Sequence, residues 1–315
     1  MSRIHEALKK AEQDRAAHQA GAIPPGAGPM AVDAPAPAPI PGPIEDPQHG
    51  MPVNLAPPAN APGMGDAFGL DALFARSTQM EWKPDLATML FMNGNDGAVG
   101  TEEFRTLRSR LYSAREKMAL KKLLVTSALP KEGKSFTAAN LAQVLVRQHG
   151  RRVLLIDADL RGPRLHLMLG TTASPGLSDY LKGRSDEFSI MQRGPLENLF
   201  LIPSGGEISN PAELVGNGRL KVLLQRVEAL FDWIVVDSPP AVPVSDASLL
   251  AKACDGVLMV VRSNATPFDA ARKAREEFPD ESLIGVVLNA TRGDATGYTR
   301  YYYERYEKKA NATKG

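Results

Sequence analysis

The sequence predicts a doubly wound α/β domain built on a mostly parallel sheet. Continuous runs of Leu, Val and Ile, about five to seven residues long, recur along residues 101–296, as strands buried on both faces require. Amphipathic stretches of helical character separate these runs, and the alternation of strand and helix is the signature of a layered α/β fold. No internal repeat competes with this pattern, and no apolar run approaches the roughly 18 to 20 residues of a membrane span.

The elements follow in order. A strand is expected over Lys122 to Ser127, then a tight loop and a helix beginning at Lys134. Further strands are expected over Arg152 to Asp157, Leu199 to Pro203, Trp233 to Asp237 and Gly256 to Arg262. A helix running to about Phe278 leads into a last strand, Leu283 to Asn289. Upstream, residues 1–20 read as a short charged helix with Ile4, Leu8 and Ala11 at helical spacing, either a frayed solvated helix or a docking helix. Residues 21–66 read as a disordered tether: 13 of the chain's 25 prolines fall between Gly21 and Gly63 with little charge or aromatic content, and such a stretch cannot bury a core. Residues 67–100 form a transition whose apolar pieces, such as Phe68 to Phe74, are expected to lie against the domain. Residues 297–315 are a tail.

Across the 315 residues, 37 Lys and Arg nearly balance 36 Asp and Glu, so no global basic field points to nucleic acid. Cys254 is the only cysteine, which excludes an internal disulfide, and the Met1 region carries no secretory signal pattern. A cytoplasmic protein is expected, brought to the inner face of the plasma membrane by a partner if it works there.

Chemistry concentrates at three strand ends. Leu123 to Ser135 runs strand, loop, helix start, and closes on Pro130, Lys131, Glu132, Gly133, Lys134, Ser135 and Phe136. In that context backbone N–H groups can cradle phosphate, Lys134 can reach the β and γ phosphates, and the Ser135 hydroxyl can ligate Mg²⁺. Ala128 stands where the general phosphate-loop pattern has its first glycine, which is tolerable provided the backbone there needs no positive φ. A second strand closes on Asp157-Ala-Asp159-Leu-Arg161, a third on Asp237-Ser-Pro-Pro240. Ligands bind at the carboxyl edge of such sheets, and hard carboxylate and hydroxyl oxygens suit Mg²⁺. A remaining carboxylate can accept a proton from an attacking hydroxyl.

These three motifs as a set resemble the bacterial tyrosine kinases of capsule and exopolysaccharide systems. The likeness covers roughly residues 100 to 306, with supporting similarity at Asn210-Pro-Ala-Glu-Leu214 and Asp246. The opening Ser-Arg-Ile-His-Glu-Ala-Leu-Lys-Lys and the Pro-rich tether are similar to the exosortase-associated branch. The resemblance implies a P-loop NTPase of the MinD/ParA-like SIMIBI class, using ATP and Mg²⁺. It further implies Lys134 on phosphate, Asp157 as base toward a tyrosine hydroxyl, Ser135, Asp159 and Asp237 around the metal, and Asn289 against adenine. Family members without their own membrane segment are stimulated by a membrane chain-length-determinant (polysaccharide co-polymerase) partner and are reversed by a phosphatase.

Two further features belong to the same resemblance. Glu102, Arg105 and Arg108 match the motif of a subunit-contact helix that closes a homo-oligomeric ring, the octamer being one candidate size. Tyr298, Tyr301, Tyr302, Tyr303 and Tyr306 match the family's terminal autophosphorylation cluster. From Tyr298 onward five basic residues face two acidic ones, and five phosphates at about −1.5 to −2 each would make that tail strongly negative. Two rivals stay open: a MinD/ParA-like ATPase, whose second signature lysine is replaced here by Leu129, and a noncatalytic ATP-binding scaffold of polysaccharide machinery.

Overall fold

The computed structural model describes residues 69–92, 99–148 and 150–291. The helix expected over residues 1–20, the tether, and the tail with Tyr298, Tyr301, Tyr302, Tyr303 and Tyr306 lie outside the described residues. In chain order the elements are α1 (Leu70–Arg76), β1 (Thr78–Gln79), α2 (Thr101–Arg115), β2 (Lys122–Ser127), α3 (Lys134–Val146), β3 (Val153–Asp157), α4 (Leu165–Leu169), α5 (Leu177–Leu181), β4 (Gln192–Arg193), β5 (Leu199–Ile202), α6 (Pro211–Gly216), α7 (Arg219–Val227), β6 (Trp233–Asp237), α8 (Asp246–Ala251), β7 (Gly256–Arg262), α9 (Phe268–Glu276) and β8 (Leu283–Asn289).

The strands form one sheet in the order β1-β4-β5-β3-β6-β2-β7-β8, parallel except where β4 meets β5. Side chains alternate across each strand, so a strand covered on both faces must be apolar at every position. Through their middles the central strands follow this rule; β2 opens on Lys122 and closes on Thr126 and Ser127, and β3 and β6 close on Asp157 and Asp237. Leu124, Leu154, Ile156, Ile234 and Val236 enter one core, while Leu123, Val125, Val153, Leu155, Trp233 and Val235 enter the other. Helix α3 contributes Leu141, Ala142 and Leu145 to the second core, where Phe104 of α2 also packs.

Observed boundaries differ from the expected ones by a residue or two, for local reasons. Strand β3 starts at Val153 because the Arg152 N–H is taken by the Asp232 carboxylate and its guanidinium by the Leu230 carbonyl. Helix α9 stops at Glu276, shortly before Pro279, since the residue ahead of a proline is steered away from helical backbone.

The segment ahead of Thr101 is more closely knit into the fold than its composition indicates. Strand β1 extends the sheet beside β4, and Trp82, Met89 and Phe91 are buried in the α3-side core. Fully buried Asn140 anchors the segment: its carboxamide accepts from the Leu90 N–H at 2.8 Å and donates to the Thr88 carbonyl at 2.8 Å. Gly194 is glycine because Trp82 lies on it, and a Cβ there would come within 2.2 Å of the indole ring. Gly194→Ala is therefore expected to destabilise by about 1–3 kcal/mol through overpacking and to shift Trp82 emission to the red. An unchanged urea midpoint and emission spectrum would show that this segment does not pack as described. No helix among the described residues is long and apolar enough to cross a membrane.

Candidate active site

The strand order sets β3, β6 and β2 side by side, so their carboxyl ends open onto one edge. Asp157 and Asp237 are direct register partners on adjacent strands, and neighbouring strands lie about 4.8 Å apart. The loop after β2 and the first turn of α3 complete the edge.

Lys134, the first residue of α3, directs its Nζ to Asp159 Oδ2 at 2.6 Å, with both side chains nearly buried. Burial works against its charge, yet the carboxylates of Asp237, Asp159 and Asp157 outweigh it and hold the amine above its ordinary value. Asp159 is also fixed from its other oxygen, which accepts the Gly162 N–H at 3.0 Å.

Asp157 is fully buried, and its Oδ2 accepts the N–H groups of Arg164 and Leu165, at 3.1 and 3.0 Å, where α4 begins. Its Oδ1 has no partner. Burial first, and then the charge of Asp237, push the carboxyl up to about 8, against the opposing pull of the Leu165 N–H and Lys134. Both oxygens of Asp237 are buried without a hydrogen-bond partner. Burial raises this carboxyl to about 6, with the Lys134 charge and the nearby Ser135 hydroxyl limiting the rise.

Buried carboxyl oxygens without partners are rare in folded proteins and call for an explanation. A hard cation supplies one: Asp237 beside the Ser135 hydroxyl and Asp159 offers the oxygen donors that Mg²⁺ prefers. No group of three or more His, Cys, Asp or Glu side chains among the described residues has the geometry of an all-protein metal cage. Mg²⁺ shared with a phosphate ligand does not need one.

The remaining loop residues divide by direction. Ala128 is fully buried and is not among the residues with positive φ, so alanine satisfies the backbone there. Pro130 has no N–H to offer, so its contribution to the loop is steric. Lys131 sits in left-handed backbone, φ 66°, and Gly133 at φ 96°. Glu132 turns its carboxylate inward, 4% exposed, where it accepts the Leu129 N–H at 2.8 Å and the Thr266 hydroxyl. Only the main chain of Glu132 is left to face a phosphate. The Phe136 ring packs edge-on against Phe104 at 5.9 Å, and its carbonyl accepts from Asn140 Nδ2 at 2.9 Å. Asn289 lies beside the loop, its Nδ2 donating to the Glu132 carbonyl at 2.8 Å.

The structure thus brings Lys134, Ser135, Asp157, Asp159 and Asp237 together, with Asn289 next to the loop. Glu102, Arg105 and Arg108 stand apart from them on α2. Arg105 pairs with Glu102 one turn away, and Arg108 donates to the Val144 carbonyl in the last turn of α3 at 3.0 Å. Two supporting groups had no signal in the sequence: the main-chain N–H groups of Arg164 and Leu165, which anchor Asp157, and Thr266, which reaches Glu132 from the loop after β7.

A family model described as an AAA domain matches residues 131–271. The chain is 35% identical over 207 residues to the tyrosine-protein kinase YwqD of Bacillus subtilis, covering 65% of this chain and 87% of that protein. It is 33% identical over 227 residues to the tyrosine-protein kinase wzc of Salmonella typhimurium, covering 71% of this chain but spanning only 31% of that longer relative. Among solved structures, the kinase domain of the Escherichia coli tyrosine kinase ETK aligns with a TM-score of 0.60 at 29% identity, over 66% of this chain and 82% of that one. Likeness of this extent, on a chain whose sheet edge gathers a phosphate loop and three aspartates, shows that the protein belongs to the family of bacterial tyrosine-protein kinases.

Proposed function

We propose that the protein is an ATP-dependent tyrosine autokinase that phosphorylates the C-terminal tyrosine cluster of a neighbouring copy. The observation that carries this reading is the single sheet edge on which Lys134, at the start of α3, meets Asp159 at 2.6 Å beside buried Asp157 and Asp237. The Lys134–Asp159 pair satisfies both charges in the nucleotide-free protein. When phosphate enters, Lys134 exchanges Asp159 for phosphate oxygens and frees that carboxylate.

Ser135, Asp159 and Asp237 would hold Mg²⁺, which when bound neutralises the charge on the phosphates. The backbone N–H groups of residues 131–136 fix the phosphates in place, and Asn289 lies against adenine. Asp157, held in position by the Arg164 and Leu165 N–H groups, accepts the phenolic proton in its ionised form. The tyrosine oxygen then bonds to the γ-phosphorus as the bond to the β–γ bridging oxygen breaks, releasing ADP. The substrates are Tyr298, Tyr301, Tyr302, Tyr303 and Tyr306 of another copy, presented in a ring built through Glu102, Arg105 and Arg108. Phosphorylation reverses the sign of the tail's charge and disfavours the ring. A membrane chain-length-determinant partner recruits and stimulates the kinase at the inner face of the membrane, a phosphatase resets it, and the cycle regulates exopolysaccharide or capsule polymerisation and export.

Incubation with ATP and Mg²⁺ followed by mass spectrometry of the terminal peptide is expected to show phosphotyrosine. Phosphate release without tyrosine labelling would assign the protein to the positioning ATPases instead, and neither release nor labelling would leave a scaffold. Arg105→Ala is expected to convert a ring to smaller species by light scattering. It is preferred to Arg108→Ala, because Arg108 also holds the end of α3. A ring of unchanged size would remove α2 from the interface.

A further inference from the structure

We propose that Asn289, Thr266 and Glu132 form a brace that shapes the phosphate-binding loop from the carboxyl ends of β7 and β8, which makes Asn289 and Thr266 positioning residues for the phosphates. The proposal rests on the nucleotide-binding reading above and adds a role separate from contact with the base.

The loop between β2 and α3 is short and contains two left-handed residues, Lys131 and Gly133. Left-handed backbone at a non-glycine residue is unfavourable and persists where surrounding contacts over-determine it. Those contacts come mainly from one side. The Glu132 carboxylate, buried inside the loop, accepts the Leu129 N–H with one oxygen and the Thr266 hydroxyl with the other. Thr266 Oγ1 in turn accepts the Arg262 N–H at 3.0 Å. A hydroxyl can donate once and accept at the same time, so this chain of bonds is internally consistent. It ties the loop to the end of β7.

The second tie is Asn289, the last residue of β8. Its Nδ2 donates to the Glu132 carbonyl at 2.8 Å, and its Oδ1 accepts the Ala290 N–H at 2.8 Å. Both ends of the carboxamide are therefore engaged, which fixes its orientation. Gly133 makes the approach possible, since a Cβ there would fall 2.0 Å from Asn289 Nδ2.

The consequence for the ligand follows from peptide geometry. In a planar trans peptide the carbonyl of one residue and the N–H of the next point in opposite directions. By holding the Glu132 carbonyl, Asn289 aims the Gly133 N–H away from itself, toward the side of the loop on which phosphate binds. The Glu132–Thr266 bond prevents the same peptide from rotating back. None of these contacts uses Lys134, Ser135, Asp157, Asp159 or Asp237, so the brace can be cut while the catalytic groups remain.

The test uses the full chain and a ligand without a base. Dissociation constants for Mg-ATP and for magnesium tripolyphosphate are measured by calorimetry on the wild type and on Asn289→Ala, Thr266→Val and Thr266→Ser. The brace predicts that Asn289→Ala and Thr266→Val each weaken tripolyphosphate binding about three- to tenfold, the value of one lost hydrogen bond. Thr266→Ser, which keeps the hydroxyl, is expected to bind like the wild type. If Asn289→Ala weakens ATP alone and both variants hold tripolyphosphate within twofold of the wild type, the brace is wrong and Asn289 serves only the base. A wild type that binds Mg-ATP but not tripolyphosphate also overturns it, because a preformed cradle must hold phosphates unaided. A wild type that binds neither ligand overturns the nucleotide reading itself. Thr266 is at the surface end of the brace, so Thr266→Val decides the matter even if Asn289→Ala disturbs folding.

Discussion

Lys134→Met should lose tyrosine autophosphorylation by a factor of about 10³ or more while keeping its fold at mildly acid pH. The loss in rate follows from removing a preorganised charge where the transferring phosphoryl group must be held, a contribution for which mutational values of about 10²- to 10³-fold are usual even for a single neutral donor. The effect on stability is less familiar and comes from the aspartates. Lys134 is the cation that opposes Asp157, Asp159 and Asp237, and its removal leaves carboxylates in a buried setting without a counter-charge. Breaking a buried pair by deleting one partner costs about 3–5 kcal/mol when the survivor stays charged. Asp157 and Asp237, both raised by burial, can instead take up protons, so the penalty shrinks at low pH and grows as pH rises. Thermal melts without magnesium should show Lys134→Met near the wild type at about pH 5 and well below it at pH 8. Lys134→Arg separates the two effects, since it keeps the charge but not the ammonium geometry: little activity, with much of the stability retained. Full phosphotyrosine yield from Lys134→Met would remove this lysine, and this loop, from the reaction.

The parts of the fold legible in the sequence are those whose burial is uniform. Strands β3 and β6 are apolar at every position but the last because both of their faces are covered, and each ends in an aspartate at the carboxyl edge of the sheet. Strands β1 and β4 are two residues long and consist of Thr, Gln and Arg, so neither length nor alternation marks them. The segment around Trp82, Met89 and Phe91 enters the core as separate anchors without helical or strand period, held by a buried Asn140 that no spacing rule identifies.

At the site the same division holds. Residue type and strand-end position were enough to nominate Lys134, Asp157, Asp159 and Asp237. The direction in which a side chain points was not legible: nothing in the spacing said that the Glu132 carboxylate turns inward to the Leu129 N–H and the Thr266 hydroxyl. Thr266 carried no signal at all, because it meets the loop across more than a hundred intervening residues.

Asp157→Asn is expected to abolish most activity and yet stabilise the metal-free protein. On the function proposed above, Asp157 takes the phenolic proton and should contribute about 10²- to 10⁴-fold to the rate, and an amide cannot replace it. For stability the sign is reversed. The folded protein holds the Asp157 proton more tightly than the unfolded chain does, with the carboxyl raised from 3.8 to about 8 by burial and by Asp237. Its protonated form favours folding fully below about pH 4, and that contribution is lost as pH rises toward 8, where a buried charge must be carried. Asparagine keeps the shape without the charge. Its carbonyl can accept the Arg164 and Leu165 N–H groups, and its amide nitrogen takes the place of the partnerless Oδ1, next to the Asp237 carboxylate on the adjacent strand. Without magnesium, Asp157→Asn should therefore melt like the wild type near pH 4 and exceed it by roughly 2–5 kcal/mol at pH 8. Magnesium with nucleotide should narrow that gap, because the wild-type carboxylates then face a cation. A variant less stable than the wild type at pH 8, or one with the same dependence on pH, would show that the charge on Asp157 is balanced in some other way, and an unchanged labelling rate would transfer the base's role to another group.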